Sequence, residues 1–282
     1  MPDEPAARRG AAVAGLAGSC HPGPVAAVTA LMAGLSVTAG QSGPRSVLTV
    51  AAVLTGQLSV GWCNDAVDAR RDIAAGRRGK PVVDGAVGVR TVWTAAFLAL
   101  ALCVPLSFGC GPWAGAVHLL GVAGAWAYNL RLKATVWSWL PYALGFASLP
   151  AFVALGSPGA PAPAWWIVTA GALLGVGAHL GDVLPDIRAD LRAGVRGWPQ
   201  RLGPDGARLL LPVPLVAASA VLVLGPAGPP GTRGAMALGC AVGIAAAGSV
   251  LGRRWERTAF AAAVAVTVVD VALLLASGTR IS

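Results

Sequence analysis

Residues 64–72 read NDAVDARRD, and they follow a long apolar segment in a chain that has few charges. Residues 182–190, DVLPDIRAD, form a second acidic stretch in the same setting, and the two stretches hold six of the twelve acidic residues. On a helix, residues three, four or seven positions apart share a face. Two acidic faces are therefore predicted, one formed by Asp65, Asp68 and Asp72, the other by Asp182, Asp186 and Asp190. Crowded carboxylates repel one another, and hard divalent cations with oxygen ligands would offset that repulsion.

The composition indicates a polytopic membrane protein. Of the 282 residues, 56% are hydrophobic and 12% are charged, and the mean hydropathy is +0.69, whereas soluble domains have roughly 25% charged residues. Nine apolar stretches are each near the roughly 20 residues that a spanning helix needs: 23–40, 44–63, 91–109, 112–130, 138–156, 163–182, 207–226, 234–251 and 258–277. We expect an all-α fold of nine transmembrane helices around a central cavity, over residues 23–282, after a disordered cytoplasmic tail at residues 1–22.

The basic residues lie mostly on one side of these predicted spans. Eighteen of the 21 Lys and Arg residues fall at the N-terminus or after the second, fourth, sixth and eighth spans, and only Arg45, Arg233 and Arg280 fall on the other side. The positive-inside rule then places the N-terminus in the cytoplasm and the C-terminus outside. Both acidic stretches would face the cytoplasm from the cytoplasmic (inner) membrane. The net charge of +9 reflects this orientation, and no nucleic-acid partner is expected.

The two acidic stretches indicate a weak internal duplication. They begin 118 residues apart, each after an even-numbered span, which predicts halves at about 23–133 and 138–257 followed by a final helix. Basic residues come after both stretches, and neighbouring acids and bases suit a diphosphate that is bridged by metal on one side and bound by Arg or Lys on the other. Mg²⁺ is favoured over zinc because no Cys or His cluster accompanies the acids. It is favoured over calcium because Mg²⁺ typically binds a few carboxylates plus substrate phosphates.

These residues resemble the motifs of the UbiA superfamily of intramembrane prenyltransferases. Residues 64–72 are similar to the first aspartate-rich motif of that superfamily, and residues 182–190, followed by Gly194 and by Pro199-x-x-Leu202-Gly203, are similar to the second. Residues 128–133, YNLRLK, resemble the family's Tyr-x-x-x-x-Lys segment. Members commonly have Arg-Pro near the first helix and again after the first motif, whereas this chain has His21-Pro22 and Lys80-Pro81.

The resemblance implies an enzyme that ionises an isoprenyl diphosphate with the help of Mg²⁺, so that an electron-rich acceptor captures the allylic cation. The implied metal ligands are Asn64, Asp65, Asp68, Asp72, Asp182, Asp186 and Asp190. The implied diphosphate-binding residues are Asn64, Arg77, Lys80, Arg131 and Lys133. The implied catalytic residues are Asp65, Asp68, Asp186, Tyr128 and Lys133. The expected partners are the isoprenyl diphosphate, membrane lipid and a small lipophilic or aromatic acceptor, such as a quinone precursor.

Two other functions remain open at this point. A terpene cyclase of the same superfamily would capture the cation within the donor itself, on farnesyl or geranylgeranyl diphosphate. A secondary transporter is less favoured, because transporters place coupling sites near the bilayer midplane. His179 either supports the site as a partner or base, or is a hydrogen-bonded helix histidine. His118 is expected to join two helices by a hydrogen bond, and Asp270 is a candidate because a charge deep in a span is costly.

Overall fold

The computed structural model describes residues 4–74, 76, 78–251 and 256–277. These residues form α-helices and two 3₁₀ turns without any strand, which confirms the all-α prediction for them. The 3₁₀ turns are Leu132–Ala134 and Leu184–Asp186. The helices are α1 (Glu4–Ser19), α2 (Pro22–Thr38), α3 (Gly43–Ala74), α4 (Val89–Gly109), α5 (Pro112–Leu130), α6 (Leu140–Leu155), α7 (Trp165–Val183), α8 (Ile187–Arg192), α9 (Trp198–Leu210), α10 (Pro212–Leu224), α11 (Thr232–Leu251) and α12 (Glu256–Ala276).

The number of membrane spans differs from the prediction. Eight of the nine predicted apolar stretches each coincide with one helix, whereas the stretch 207–226 is divided between α9 and α10. Only five helices in the described residues are long and apolar enough to cross a membrane. The number rises to seven if α1 with α2 and α9 with α10, two bent pairs, each form one span. Nine spans are therefore not confirmed. The reasons are local: α6 has only 16 residues, and α5 carries polar residues such as His118 and Asn129, which reduce its hydropathy.

The N-terminal segment is a helix and not the disordered tail that we expected. Its Ala-rich sequence favours a helix, and the indole of Trp62 fastens α1 to α3 by donating a hydrogen bond to the carbonyl of Leu16 (2.8 Å). The helix then breaks at His21, which adopts a left-handed conformation (φ 57°), and Pro22 begins α2. At the bend of 62° between α1 and α2, His21 Nε2 lies 3.3 Å from Asp65 Oδ1 of α3.

The longer helices close into a ring around a cavity. Helix α3 packs against α2 and α5, α5 against α6, α6 against α7, α7 against α10, and α10 against α12, which returns to α2. Helix α4 packs on the outside of α3 and α5, and α11 packs on the outside of α10 and α12. The predicted central cavity is therefore present, and α2, α3, α5, α6 and α7 form its walls.

Glycines allow the walls of the ring to approach closely, as is common between membrane helices. A Cβ atom at Gly175 of α7 would overlap the carbonyl of Tyr142 in α6, and one at Gly171 would meet the carbonyl of Phe146. In the same way, Gly61 of α3 lies directly against the carbonyl of Cys20, at the α1–α2 junction. These contacts fix the helices that carry the polar side chains described below.

Asp270 joins two helices away from the cavity. Its side chain is fully buried in α12 and accepts a hydrogen bond from the hydroxyl of Ser219 in α10. Neither residue lines the cavity. The contact supports a packing role for Asp270, at the closure of the helix ring.

Candidate active site

The cavity has a volume of about 570 Å³, within the range of roughly 300–1,000 Å³ typical of small-molecule sites. One end is polar and is formed where α3, α5 and α7 finish, together with the loops that follow them. The other end is apolar and lies between α3, α5 and α6. The charged side chains in its lining, all at the polar end, are Asp68, Arg71, Lys80, Lys133, Asp182, Asp186 and Asp190.

The first acidic stretch divides into two faces, which corrects the prediction of a single face. Asn64 and Asp68 line the cavity, whereas Asp65 and Asp72 are buried beside it, with exposed fractions of 3% and 1%. At 3.6 residues per turn, Asn64 and Asp68 lie about 40° apart around the helix, and Asp65 lies about 100° from Asn64. The three aspartates do share one side of α3, but the cavity borders only the edge of that side on which Asn64 and Asp68 lie.

Lys80 holds the two buried aspartates. Its ammonium group donates hydrogen bonds to Asp72 Oδ2 (2.6 Å) and Asp65 Oδ1 (3.4 Å). His21 Nε2 lies 3.3 Å from the same oxygen of Asp65. Burial alone would lower the pKa of Lys80, but the hydrogen bond to Asp72 and the neighbouring carboxylates outweigh it, so the pKa lies above its usual value. Lys80 is therefore a firmly charged group at the edge of the cavity.

Asp68 meets two basic side chains at the cavity wall. Arg71 Nη2 donates to Asp68 Oδ2 (2.9 Å), and the Lys133 ammonium group donates to Asp68 Oδ1. Burial lowers the pKa of Lys133, although the charge of Asp68 acts in the opposite direction. The lysine of the Tyr-x-x-x-x-Lys segment thus contacts the first acidic stretch, 65 residues earlier in the sequence.

The second acidic stretch is not one continuous helix, but its three aspartates all reach the cavity. Asp182 lies near the end of α7, Asp186 ends the 3₁₀ turn that contains Pro185, and Asp190 lies in α8. The three line the polar end of the cavity opposite Asp68. The prediction that both stretches converge on one site is therefore consistent with the structure, although the turn at Pro185 breaks the expected helix.

Two residues that the sequence did not single out hold these aspartates. The hydroxyl of Tyr142 donates to Asp182 Oδ2 (2.7 Å), and the amide of Gln200 donates to Asp190 Oδ2 (2.9 Å). Gln200 is only 5% exposed and lines the cavity. Tyr142 is one of the chain's two tyrosines, and this scarcity in a membrane chain was the one available signal. Gln200 carried no comparable signal.

Tyr128 forms an aromatic cluster at the boundary between the polar and apolar ends. Its ring meets Tyr142 edge-on at 5.2 Å, and both rings contact His179, at 5.7 and 4.8 Å. His179 is buried behind the tyrosines, and its Nε2 shares a hydrogen bond with the hydroxyl of Ser138 (3.0 Å). Because His179 does not line the cavity, the structure supports the hydrogen-bonded helix histidine and not a base.

Of the predicted diphosphate-binding residues, Arg131 is not brought into this group. Arg131 is exposed just after α5 and does not line the cavity. Arg77 falls outside the described residues. Arg71, which was not assigned a role from the sequence, occupies the cavity wall instead.

The side chains at the polar end fit a hard divalent cation by their chemistry. Most candidate ligands there are oxygen atoms, from Asn64 and from four aspartates, which hard cations prefer. His21 and Cys20 also belong to the lining, and His21 faces Asp65. Within residues 4–251, apart from positions 75 and 77, and residues 256–277, no three acidic, His or Cys side chains are already gathered closely enough to hold an ion. Asp68 is instead paired with Lys133 and Arg71, so ion binding requires that these partners move away.

Comparison with known proteins identifies the family. The model of the UbiA prenyltransferase family matches residues 25–267, most of the chain. The chain belongs to this family. This confirms the resemblance of the motifs to that superfamily and the expected class of prenyltransferases.

Individual relatives are more distant. The bacteriochlorophyll synthase 33 kDa chain of Cereibacter sphaeroides is 34% identical over 162 residues, which cover 55% of this chain and 52% of that protein. The corresponding chain of Rhodobacter capsulatus is 31% identical over 187 residues and 58% of each protein. The alignments thus cover little more than half of these relatives. A solved UbiA homologue from Archaeoglobus fulgidus, bound to GPP and Mg²⁺, shares the fold, with a TM-score of 0.70, 17% identity and coverage of 95% and 99% of the two chains.

Proposed function

We propose that this UbiA-family protein is a Mg²⁺-dependent prenyltransferase that ionises an isoprenyl diphosphate and transfers the prenyl group to a lipophilic acceptor. One observation carries the proposal: carboxylates and basic side chains line one end of a cavity whose other end is apolar. A prenyl diphosphate has the same division, since a polar head is joined to an apolar chain. The A. fulgidus homologue, which binds GPP and Mg²⁺, supports the proposal by its shared fold.

The geometry suggests how the polar residues divide the work. Asn64, Asp68, Asp182, Asp186 and Asp190 would hold Mg²⁺, directly or through water. Bound Mg²⁺ neutralises the negative charge that develops on the departing diphosphate. Lys133, Arg71 and Lys80 line the same end of the cavity and would bind the diphosphate oxygens, which is the task that charged donors do best.

Asp65 and Asp72 take a different role in this proposal. Both were predicted as metal ligands, but both are buried beside the cavity and bind Lys80. We propose that they position Lys80, so that its charged end stays at the cavity edge. Asp65 also faces His21, which links the α1–α2 junction to the site.

The reaction then follows from the two ends of the cavity. The C–O bond of the donor breaks, the diphosphate leaves with the electron pair, and an allylic cation remains in the apolar part. Tyr128 and Tyr142 stand at this boundary, where an aromatic ring face stabilises a cation. The apolar walls exclude water, which would otherwise capture the cation. An electron-rich acceptor atom forms the new bond to carbon and gives up its proton.

The acceptor is proposed as an aromatic molecule. A quinone precursor fits the family resemblance, and the name of the two bacteriochlorophyll synthase relatives favours a tetrapyrrole-type ring. The membrane orientation derived from the basic loops, with the site facing the cytoplasm from the inner membrane, is part of the same proposal. It would let a soluble or membrane-bound acceptor reach the site from the cytoplasmic side.

The test is substitution of one acid from each stretch. Membranes that contain Asp68→Ala or Asp186→Ala are given isoprenyl diphosphates, Mg²⁺ and candidate acceptors, and diphosphate release is measured. We expect the release to fall by about a hundredfold or more, because each acid helps to stabilise the departing charge, and chelation of Mg²⁺ should have the same effect. Asp205→Ala is the matched control, because Asp205 pairs with Arg208 on the surface.

Wild-type turnover by the Asp68→Ala, Asp186→Ala double variant would contradict the proposal. The same assay separates the alternatives. Cyclic hydrocarbon or alcohol formed without any acceptor would identify a terpene cyclase. Diphosphate that stays intact in the presence of Mg²⁺ and every acceptor would favour a transporter.

A further inference from the structure

The cavity has a closed far end as well as a polar mouth. On α5, the lining residue furthest from the polar end is His118. It lies about 15 Å from Tyr128 along the helix axis, at 1.5 Å per residue. Along α3, the furthest from Asp68 is Gly56, about 18 Å away by the same rise. On α6, which runs the opposite way, the last lining residue is Leu149. These three positions mark the floor of the cavity.

His118 is fixed at this floor from several sides. Its Nδ1 lies 2.8 Å from the hydroxyl of Ser107 in α4, and that hydroxyl donates to the carbonyl of Cys103 (2.6 Å). The imidazole therefore donates to Ser107, as expected for a histidine that joins two helices. Its ring also stacks on Phe152 of α6 at 4.5 Å, with an angle of 13° between the planes. His118 is 3% exposed, and its two partners, Ser107 and Phe152, are fully buried.

Nothing but packed protein lies beyond His118 in the described part of the chain. Cys103, Ser107 and Phe152 have exposed fractions of 0%. A Cβ atom at Gly56 would be 3.4 Å from Cε1 of His118, so α3 and α5 are already in contact at this level. The imidazole is thus a rigid plug between three helices.

The width just above the floor depends on small residues. A Cβ atom at Gly145 of α6, which lines the cavity, would meet no atom within 4 Å. A larger side chain there would extend into open space without a clash. One at Gly121 of α5, by contrast, would overlap Ser148. A larger side chain at Gly145 would therefore shorten the cavity.

We infer that His118 ends the binding site for the isoprenyl chain and sets the greatest length of donor that the protein accepts. The inference rests on the proposed function, since it assumes that the diphosphate binds at the polar end. A donor with one isoprene unit too many would have to displace an imidazole that is held by a hydrogen bond and by stacking. A hydrophobic pocket discriminates by about tenfold or more for each methylene group that does not fit.

The experiment compares donors of increasing length, from dimethylallyl to geranylgeranyl diphosphate, with one acceptor and the full-length protein in membranes. The measured quantity is kcat/KM for the longest donor divided by that for the donor that wild type prefers. His118→Ala opens the floor, so this ratio should rise about tenfold. His118→Phe keeps the bulk and should leave the ratio near the wild-type value. Gly145→Val should shift the preference to a shorter donor.

Leu120→Ala is the control, because Leu120 lies on the same helix but is 60% exposed on its outer side. The donor-dependent rise in melting temperature of the purified protein gives a second readout that needs no turnover. If wild type releases diphosphate but neither His118→Ala nor Gly145→Val changes the order of donors in either readout, the floor is wrongly assigned while the proposed function stands. If wild type acts on no donor and none stabilises it, the proposed function itself fails.

Discussion

Replacement of Lys80 by Met tests whether the first acidic stretch depends on an internal counter-ion. Lys80 donates to Asp72 Oδ2 at 2.6 Å and to Asp65 Oδ1 at 3.4 Å, and both carboxylates are almost fully buried. Met has a similar length and can fill the same space without a charge. The substitution therefore removes the ammonium group, and the two buried carboxylates repel each other without it.

The expected loss of stability follows from the partners that remain. Removal of one member of a buried ion pair typically costs about 3–5 kcal/mol. Here Lys80 is 26% exposed, His21 stays 3.3 Å from Asp65, and Arg71 stays 4.0 Å from Asp72. These partners soften the effect, so we expect a loss of about 2–3 kcal/mol. For a chain of this size, that corresponds to a melting temperature lower by roughly 5 °C or more.

The assay is thermal unfolding of the detergent-purified protein, followed by tryptophan fluorescence. Arg78→Met is the matched control, since it removes a charge from the same loop at an exposed position. The double variant Lys80→Met, Asp72→Asn should recover much of the lost stability, because it removes one of the two carboxylates. It should not recover turnover, since the diphosphate would still lack the lysine. If Lys80→Met has the same melting temperature as the Arg78→Met control, the counter-ion argument is wrong.

Two further substitutions examine the contacts around the site. Gln200→Leu removes the amide that orients Asp190. Loss of such a supporting partner typically costs about tenfold or more in metal affinity, so the Mg²⁺ concentration for half-maximal turnover should rise accordingly. An unchanged concentration would show that Asp190 needs no support. Gly175→Ala places a Cβ atom against the carbonyl of Tyr142. It should lower the free energy of unfolding by about 1–3 kcal/mol, because it forces α6 away from α7. A melting temperature equal to that of wild type would show that the two helices separate freely.

Much of the fold could be predicted from the sequence, because hydropathy and helix length act locally. Eight of the nine apolar stretches each became one helix, and α4 and α5 have nearly the predicted ends. The count of spans could not be predicted in the same way. Residues that face a cavity need not be apolar, and α5 places His118, Tyr128 and Asn129 in the cavity lining. The helix at the N-terminus was missed because its contacts, such as Trp62 with Leu16, lie far along the chain.

The candidate site was predictable in its composition but not in its orientation. Helical spacing identified the residues that share a side of α3, whereas the direction of the cavity depends on how α3 packs against α2 and α5. That direction separates Asn64 and Asp68 from Asp65 and Asp72. Gln200 could not be foreseen, because its role arises only where α9 folds back onto Asp190.

The pairing of charges at the polar end bears on how a metal and a diphosphate could enter together. Asp68 is already neutralised by Lys133 and Arg71, and Lys80 neutralises Asp65 and Asp72. A cation that binds Asp68 without a diphosphate would have to displace Lys133 and leave its ammonium group in a buried place. A diphosphate alone would compete with Asp68 for the same lysine. A ligand that carries both charges allows an exchange of partners, in which Asp68 turns to the cation and Lys133 to the anion. No buried charge is then left uncompensated, which is the costly outcome for either species by itself. The arrangement of acids and bases therefore favours the joint binding of a divalent cation and a diphosphate over the binding of either one.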